Sequence, residues 1–106
     1  MMKERNDYGM MSGAFIFDVL DRHALKYIKD QAGLSKKAVL VTKSSSISFQ
    51  RQLCQKKYSV VCRGYSEIQL YTTLYFCTVD MYDIDHNFVA GANFVFTLAT
   101  NHCEVK

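Results

Sequence analysis

The chain changes its hydrophobic period near residue 33, and that change separates one helical region from one extended region. Between residues 14 and 32, Ile16, Leu20, His23, Ala24 and Tyr27 recur at steps of three and four, with Phe17 and Ile28 widening the stripe. The spacing predicts an amphipathic helix over 14–32. Ser12 can cap its start with a side-chain oxygen, and Gly33 suits the left-handed position just past its end. Asp18–Arg22 and Lys26–Asp30 are opposite-charge pairs four residues apart on the polar side. Such a helix is made to lie on an apolar surface.

After Gly33, β-branched and aromatic residues alternate with polar ones at a period of two. This predicts two short strands, 37–43 and 45–51, around a serine-rich turn at Ser44–Ser46, then a third at 58–64 and a long fourth at 67–82. In the fourth, Leu70, Thr72, Leu74 and Phe76 share one face, and Tyr71, Thr73, Tyr75, Cys77, Val79 and Met81 share the other. Both faces are apolar, as in a central strand covered by the helix on one side and by a partner on the other. A last strand, 87–100, alternates most regularly, with Phe88, Ala90, Ala92, Phe94, Phe96 and Leu98 on its core face and Gly91 as a bend. The expected fold class is α+β: a single N-terminal helix packed on a curved four- to five-stranded antiparallel sheet, in the order α-β-β-β-β-β. No proline, repeat or low-complexity tract interrupts it. Residues 12–106 therefore read as one domain behind a flexible N-terminal arm, 1–11.

Composition adds exclusions. A chain of 106 residues suffices for one core of its own. No apolar run reaches the roughly 18 residues of a membrane span, and the first residues lack the apolar segment of a secretion signal. The expectation is a cytoplasmic protein with no membrane partner. Cys54, Cys62, Cys77 and Cys103 are too widely spaced for a zinc site, so they read as reduced thiols, with Cys62 and Cys77 as small core residues. Neither a metal nor a cofactor is expected.

Charge is distributed unevenly. Residues 1–21 carry −2, residues 22–63 carry +9 and residues 64–106 carry −4. Such separation can steer an oppositely charged partner, including a second copy of the chain. The acidic segment Asp80–His86 lies at the turn of the last hairpin and lacks the ligand spacing of a calcium loop. It reads as a solvated tip able to meet a basic partner.

Asn87-Phe88-Val89-Ala90-Gly91, followed by Asn93-Phe94, resembles the Q-x-V-x-G loop and following N-[YF] of the cystatins. That resemblance implies a helix on an antiparallel sheet and inhibition of cysteine proteases. The chain departs from it in placing Asn first, in lacking tryptophan and in leaving about fifty residues between helix and motif.

No catalytic constellation emerges from these residues. The favoured function is a small non-enzymatic protein-interaction module, an inhibitor, immunity-type or adaptor protein, self-associating as a homodimer. Its contact residues would be Tyr71, Tyr75, Val79, Met81, Asp83, Asp85 and His86, because tyrosine and methionine favour interfaces. A second function is nucleic-acid binding through a basic rim of Lys36, Lys37, Lys43, Arg51, Lys56, Lys57 and Tyr58. A third is a ligand-binding or enzymatic roll of cystatin-like or hotdog-like form. It would need a polar group turned inward, with His23 and Asp80 as the suppliers.

Overall fold

The computed structural model describes residues 12–53 and 57–99. Helix α1 spans Gly13–Gln31 and is followed by four strands: β1 Leu40–Phe49, β2 Tyr58–Ile68, β3 Thr73–Asp83 and β4 Phe88–Leu98. The strands form one antiparallel sheet in the order β1-β4-β3-β2. The expected architecture, one helix on an antiparallel sheet, is what the chain adopts, with four strands. The proposed arm at 1–11 lies outside the described residues.

The ends of α1 follow from the local chemistry read in the sequence. Ser12 Oγ accepts from the Phe15 amide at 3.1 Å, and Gly33 adopts φ 67 just past the helix. Between them Ile16, Val19, Leu20, Ala24 and Ile28 face the sheet and are buried. Burial of each leucine- or isoleucine-sized side chain contributes about 1.5–3 kcal/mol relative to exposure.

Under the helix lie the alternating inward residues of the two central strands. Tyr75, Cys77, Val79 and Met81 come from β3, and Ala90, Ala92, Phe94 and Phe96 from β4. Phe94 stacks on Phe96 with ring centres 5.6 Å apart and meets Phe17 of α1 at 5.7 Å. The small Ala90 and Ala92 leave room for the helix. On β2, Gly64 does the same, since a Cβ there would stand 2.8 Å from the Phe76 carbonyl oxygen and 3.0 Å from Ile28 Cδ1.

Three strand expectations are corrected. The predicted strands 37–43 and 45–51 are one strand, β1, because the β4 ladder runs through Ser44–Ser46 and leaves only a bulge between Thr42 and Ser44. The predicted strand 67–82 is broken: β2 extends to Ile68, a turn follows, and β3 starts at Thr73. The residues of that turn have high strand propensity, so pairing register decides the break. In β4 a register shift opposite Met81 and Tyr82 turns both Val89 and Ala90 inward. Phe88 then swings to the outer face, where its ring meets Tyr82 edge-on at 5.8 Å.

The cystatin-like residues are central rather than a free loop. Val89 and Ala90 are fully buried, and β4 is paired on both sides. No segment of this kind can insert into a protease cleft.

Candidate functional site

The acidic hairpin tip satisfies itself. Asp83 Oδ1 accepts from the amides of Asp85 and Asn87, each at 2.9 Å, and Oδ2 accepts from Asn87 Nδ2 at 3.3 Å. The His86 amide closes the turn on the Asp83 carbonyl at 3.0 Å, with His86 at φ 66. These bonds, the Asn87 amide foremost, hold the Asp83 carboxyl below its ordinary value of 3.8, with a smaller contribution from Arg51. A carboxylate so occupied organises a turn and is a poor proton acceptor. A cleft of about 290 Å³ beside it is lined by Arg51, Leu53, Lys57, Asp83, Asp85 and Asn87. Among the described residues no group of three or more His, Cys, Asp or Glu side chains could hold a metal.

Among the described residues the thiols offer no activated nucleophile. Cys62 is half-buried in β2 and Cys77 is buried in β3, and both are free. Burial, reinforced by the neighbouring Cys62, pushes the Cys77 thiol up to about 12. Cys54 and Cys103 lie outside the described residues.

Asp21 is different. It is half-buried on α1, four residues from Phe17 on one side and four from Leu25 on the other, and both pack on the core. Burial is the first cause that raises its carboxyl above 3.8, and the charge of Asp18 is the second. Asp18 itself is bound to Arg22 at 2.9 Å. Asp21 makes no ion pair among the described residues. At the start of the same helix, Ser12 occupies the Phe15 amide and its carbonyl takes the Ile16 amide. The Gly13 and Ala14 amides thus remain at the open, positive end of the helix. A carboxyl of raised basicity and the amide end of a helix thus lie on the same element, about two turns apart.

No family model and no curated protein matches the sequence. Solved structures do match its fold. A Bacillus halodurans protein solved with CoA aligns with a TM-score of 0.72 at 17% identity, covering 90% of this chain and 60% of its own. A probable thioesterase from Bartonella henselae aligns at 0.71 and 14% identity, covering 92% and 81%. A hypothetical thioesterase from Streptococcus pneumoniae, solved with a threonine changed to alanine, aligns at 0.68 and 20% identity, covering 91% and 73%. The same protein was solved with an aspartate changed to alanine.

The fold is hotdog-like. The chain spans 60% of the length of the Bacillus halodurans protein. These neighbours overturn the expectation of a non-enzymatic inhibitor, immunity-type or adaptor protein: the hotdog-like fold turns up in thioesterases and in CoA-bound proteins. The roll kept as the third possibility is the one that fits.

The hotdog-like arrangement scatters the residues expected to act together. Tyr75, Val79 and Met81 are buried beneath α1, which covers the face assigned to a partner. Tyr71 stands in the β2–β3 turn, and Asp83, Asp85 and His86 stand at the opposite end. The basic residues do not form a rim. Lys36 and Lys37 follow α1, and Lys43 is exposed at the β1 bulge. Arg51, Lys57 and Tyr58 lie near Asp83 at the far end, while Lys56 is outside the described residues. Neither expected inward group turns inward. His23 is exposed on the flank of α1, and Asp80 lies on the outer sheet face, 3.6 Å from Arg63. In the sequence Asp21 counts as one more acid in an amphipathic helix. The signal was its place in the apolar row Phe17–Asp21–Leu25.

Proposed function

We propose that the protein hydrolyses acyl thioesters of CoA, acting in the cytoplasm as a homodimer. The observation that carries this is Asp21, a carboxyl of raised basicity with no ion pair among the described residues, on the helix of a hotdog-like fold. The Asp21 carboxylate takes a proton from water as the water oxygen attacks the thioester carbonyl. A C–O bond forms, the C–S bond breaks as the proton held by Asp21 passes to the leaving sulfur, and the products are a carboxylic acid and the CoA thiol. The Gly13 and Ala14 amides, with the positive end of the helix, hold the oxyanion. The aspartate variant solved in the Streptococcus pneumoniae thioesterase supports looking for an aspartate in this role.

Eight residues of helix separate Gly13 from Asp21, about 12 Å along the axis. Base and oxyanion donors must each lie about 3 Å from the reacting atoms, so a single chain does not unite them. Two helices packed side by side and antiparallel would bring Asp21 of one copy to Gly13 of the other. This spacing supports the homodimer, with each site shared.

The test is thiol release from a series of acyl-CoA esters. Asp21→Asn should lower kcat/KM by about 100-fold or more. Gly13→Pro removes one amide at a helix position that tolerates proline, and should cost about 100-fold. Mixing the two variants should restore activity, because each mixed dimer keeps one intact site. Wild-type rates from Asp21→Asn would end the proposal, and no rescue on mixing would end the shared site.

A further inference from the structure

The turn between β2 and β3 leaves large apolar side chains in water. Ile68, Leu70 and Tyr71 are 85%, 84% and 92% exposed. They sit on a protruding tip between two eleven-residue strands, closed by the Gln69 amide donating to the Thr72 carbonyl at 2.7 Å. Single exposed apolar residues are ordinary on protein surfaces, but three together on a tip mark a contact site.

The same end of the sheet holds a second set of groups. β1 begins there and β4 ends there, with the Ala99 amide donating to the Val39 carbonyl at 2.8 Å and Leu40 opposite Leu98. Val39 and Leu98 are themselves exposed. The end of α1 arrives beside Ser66 and Tyr75, so Lys29 and the following Lys36 and Lys37 belong to this end. Among the described residues its acids are Glu67 and Asp30, and Asp30 is bound to Lys26 at 2.9 Å. Among the described residues this end is therefore apolar and cationic, while the opposite end mixes Asp83 and Asp85 with Arg51 and Lys57.

We infer that this end of the molecule docks on an anionic phospholipid bilayer. Leu70 and Tyr71 enter the headgroup–acyl boundary, and Lys36 and Lys37 lie against the headgroups. A stable protein interface needs about 800 Å² on each side, more than the protruding tip by itself supplies. A bilayer takes up a convex apolar prong without a complementary seat. Tyrosine favours headgroup depth, and lysines near the surface are drawn to anionic lipid. The attachment is peripheral, since α1, buried on the sheet, is not long and apolar enough to span a membrane. It departs from the sequence expectation of no membrane partner and does not depend on the thioesterase proposal.

Vesicle co-sedimentation of the full chain tests this, with phosphatidylcholine vesicles compared with mixtures containing phosphatidylserine. The protein should bind the mixed vesicles at low salt and bind more weakly at physiological ionic strength. Leu70→Ser with Tyr71→Ser should lower the partition coefficient at least about tenfold on mixed vesicles. Lys36→Gln and Lys37→Gln should each lower it about fivefold on mixed vesicles and leave phosphatidylcholine unaffected. Folding is not at stake at such exposed positions, and an unchanged melting curve confirms it. No binding to mixed vesicles at low salt overturns the inference, as does equal binding by the Leu70/Tyr71 double variant. A dimer that the double variant splits, without vesicle binding, would assign the tip to a second copy instead.

Discussion

The two long hairpins of the sheet solve the same problem in opposite ways. The β3–β4 hairpin is self-contained. Its tip is tied by three bonds to Asp83, and the space over its glycine, Gly91, is filled by its own Asp80 and Phe88 side chains. The β2–β3 hairpin is satisfied from outside. The space over Gly64 is filled by Ile28 and Tyr27 of α1, and its tip leaves Leu70 and Tyr71 in water. The charged tip attracts attention in the sequence, yet its polar groups are already paired. The apolar tip is the one with something left to bind.

The sharpest way to break this contrast is to fill the two glycines. Gly64→Ala places a methyl 2.8 Å from the backbone carbonyl of Phe76, which cannot swing away. It should lose about 1–3 kcal/mol in urea unfolding. Gly91→Ala meets the Asp80 carboxylate at 2.8 Å and the Phe88 ring at 3.0 Å, both ends of side chains that can swing away. It should stay within about 1 kcal/mol of wild type, helped by the entropy that strand glycine forfeits. Equal losses at the two sites would erase the distinction.

Asp83→Ala comes next and should lower Tm by a few degrees. Because the folded-state pKa of Asp83 is depressed, its contribution is present above the unfolded-state value and lost as pH falls through the lower folded value. The Tm gap between wild type and variant should therefore be full at neutral pH and close below about pH 3.8. A gap that persists in acid would mean the tip is held by something other than the carboxylate. The smallest effect belongs to the apolar tip, where Leu70→Ser with Tyr71→Ser should change stability by no more than about 0.5 kcal/mol. A larger loss would show that the tip is packed after all.

Local signals carried far where the chemistry was local. The cap at Ser12, the left-handed Gly33 and the apolar stripe between them define α1 because each acts within a turn or two of chain. Asp83 and Asn87 announce a turn for the same reason. Strand β4 shows the limit. Its alternation located Ala90, Ala92, Phe94 and Phe96 in the core, but the bulge that turns Val89 inward and Phe88 outward depends on the register with β3.

By itself, then, the sequence determined one amphipathic helix and an antiparallel sheet, since periodicity records which faces are buried. Only the tertiary structure decided where the strands begin and end. Ser44–Ser46 became strand because β4 supplies a ladder, and Gln69–Thr72 became a turn because β2 and β3 pair back on each other. It also decided how each carboxylate is held. The protonation of Asp83 is set by neighbours close in the chain, whereas that of Asp21 is set by burial against a sheet assembled from residues far along it. Desolvation is a property of the packed molecule, and no short stretch of sequence encodes it.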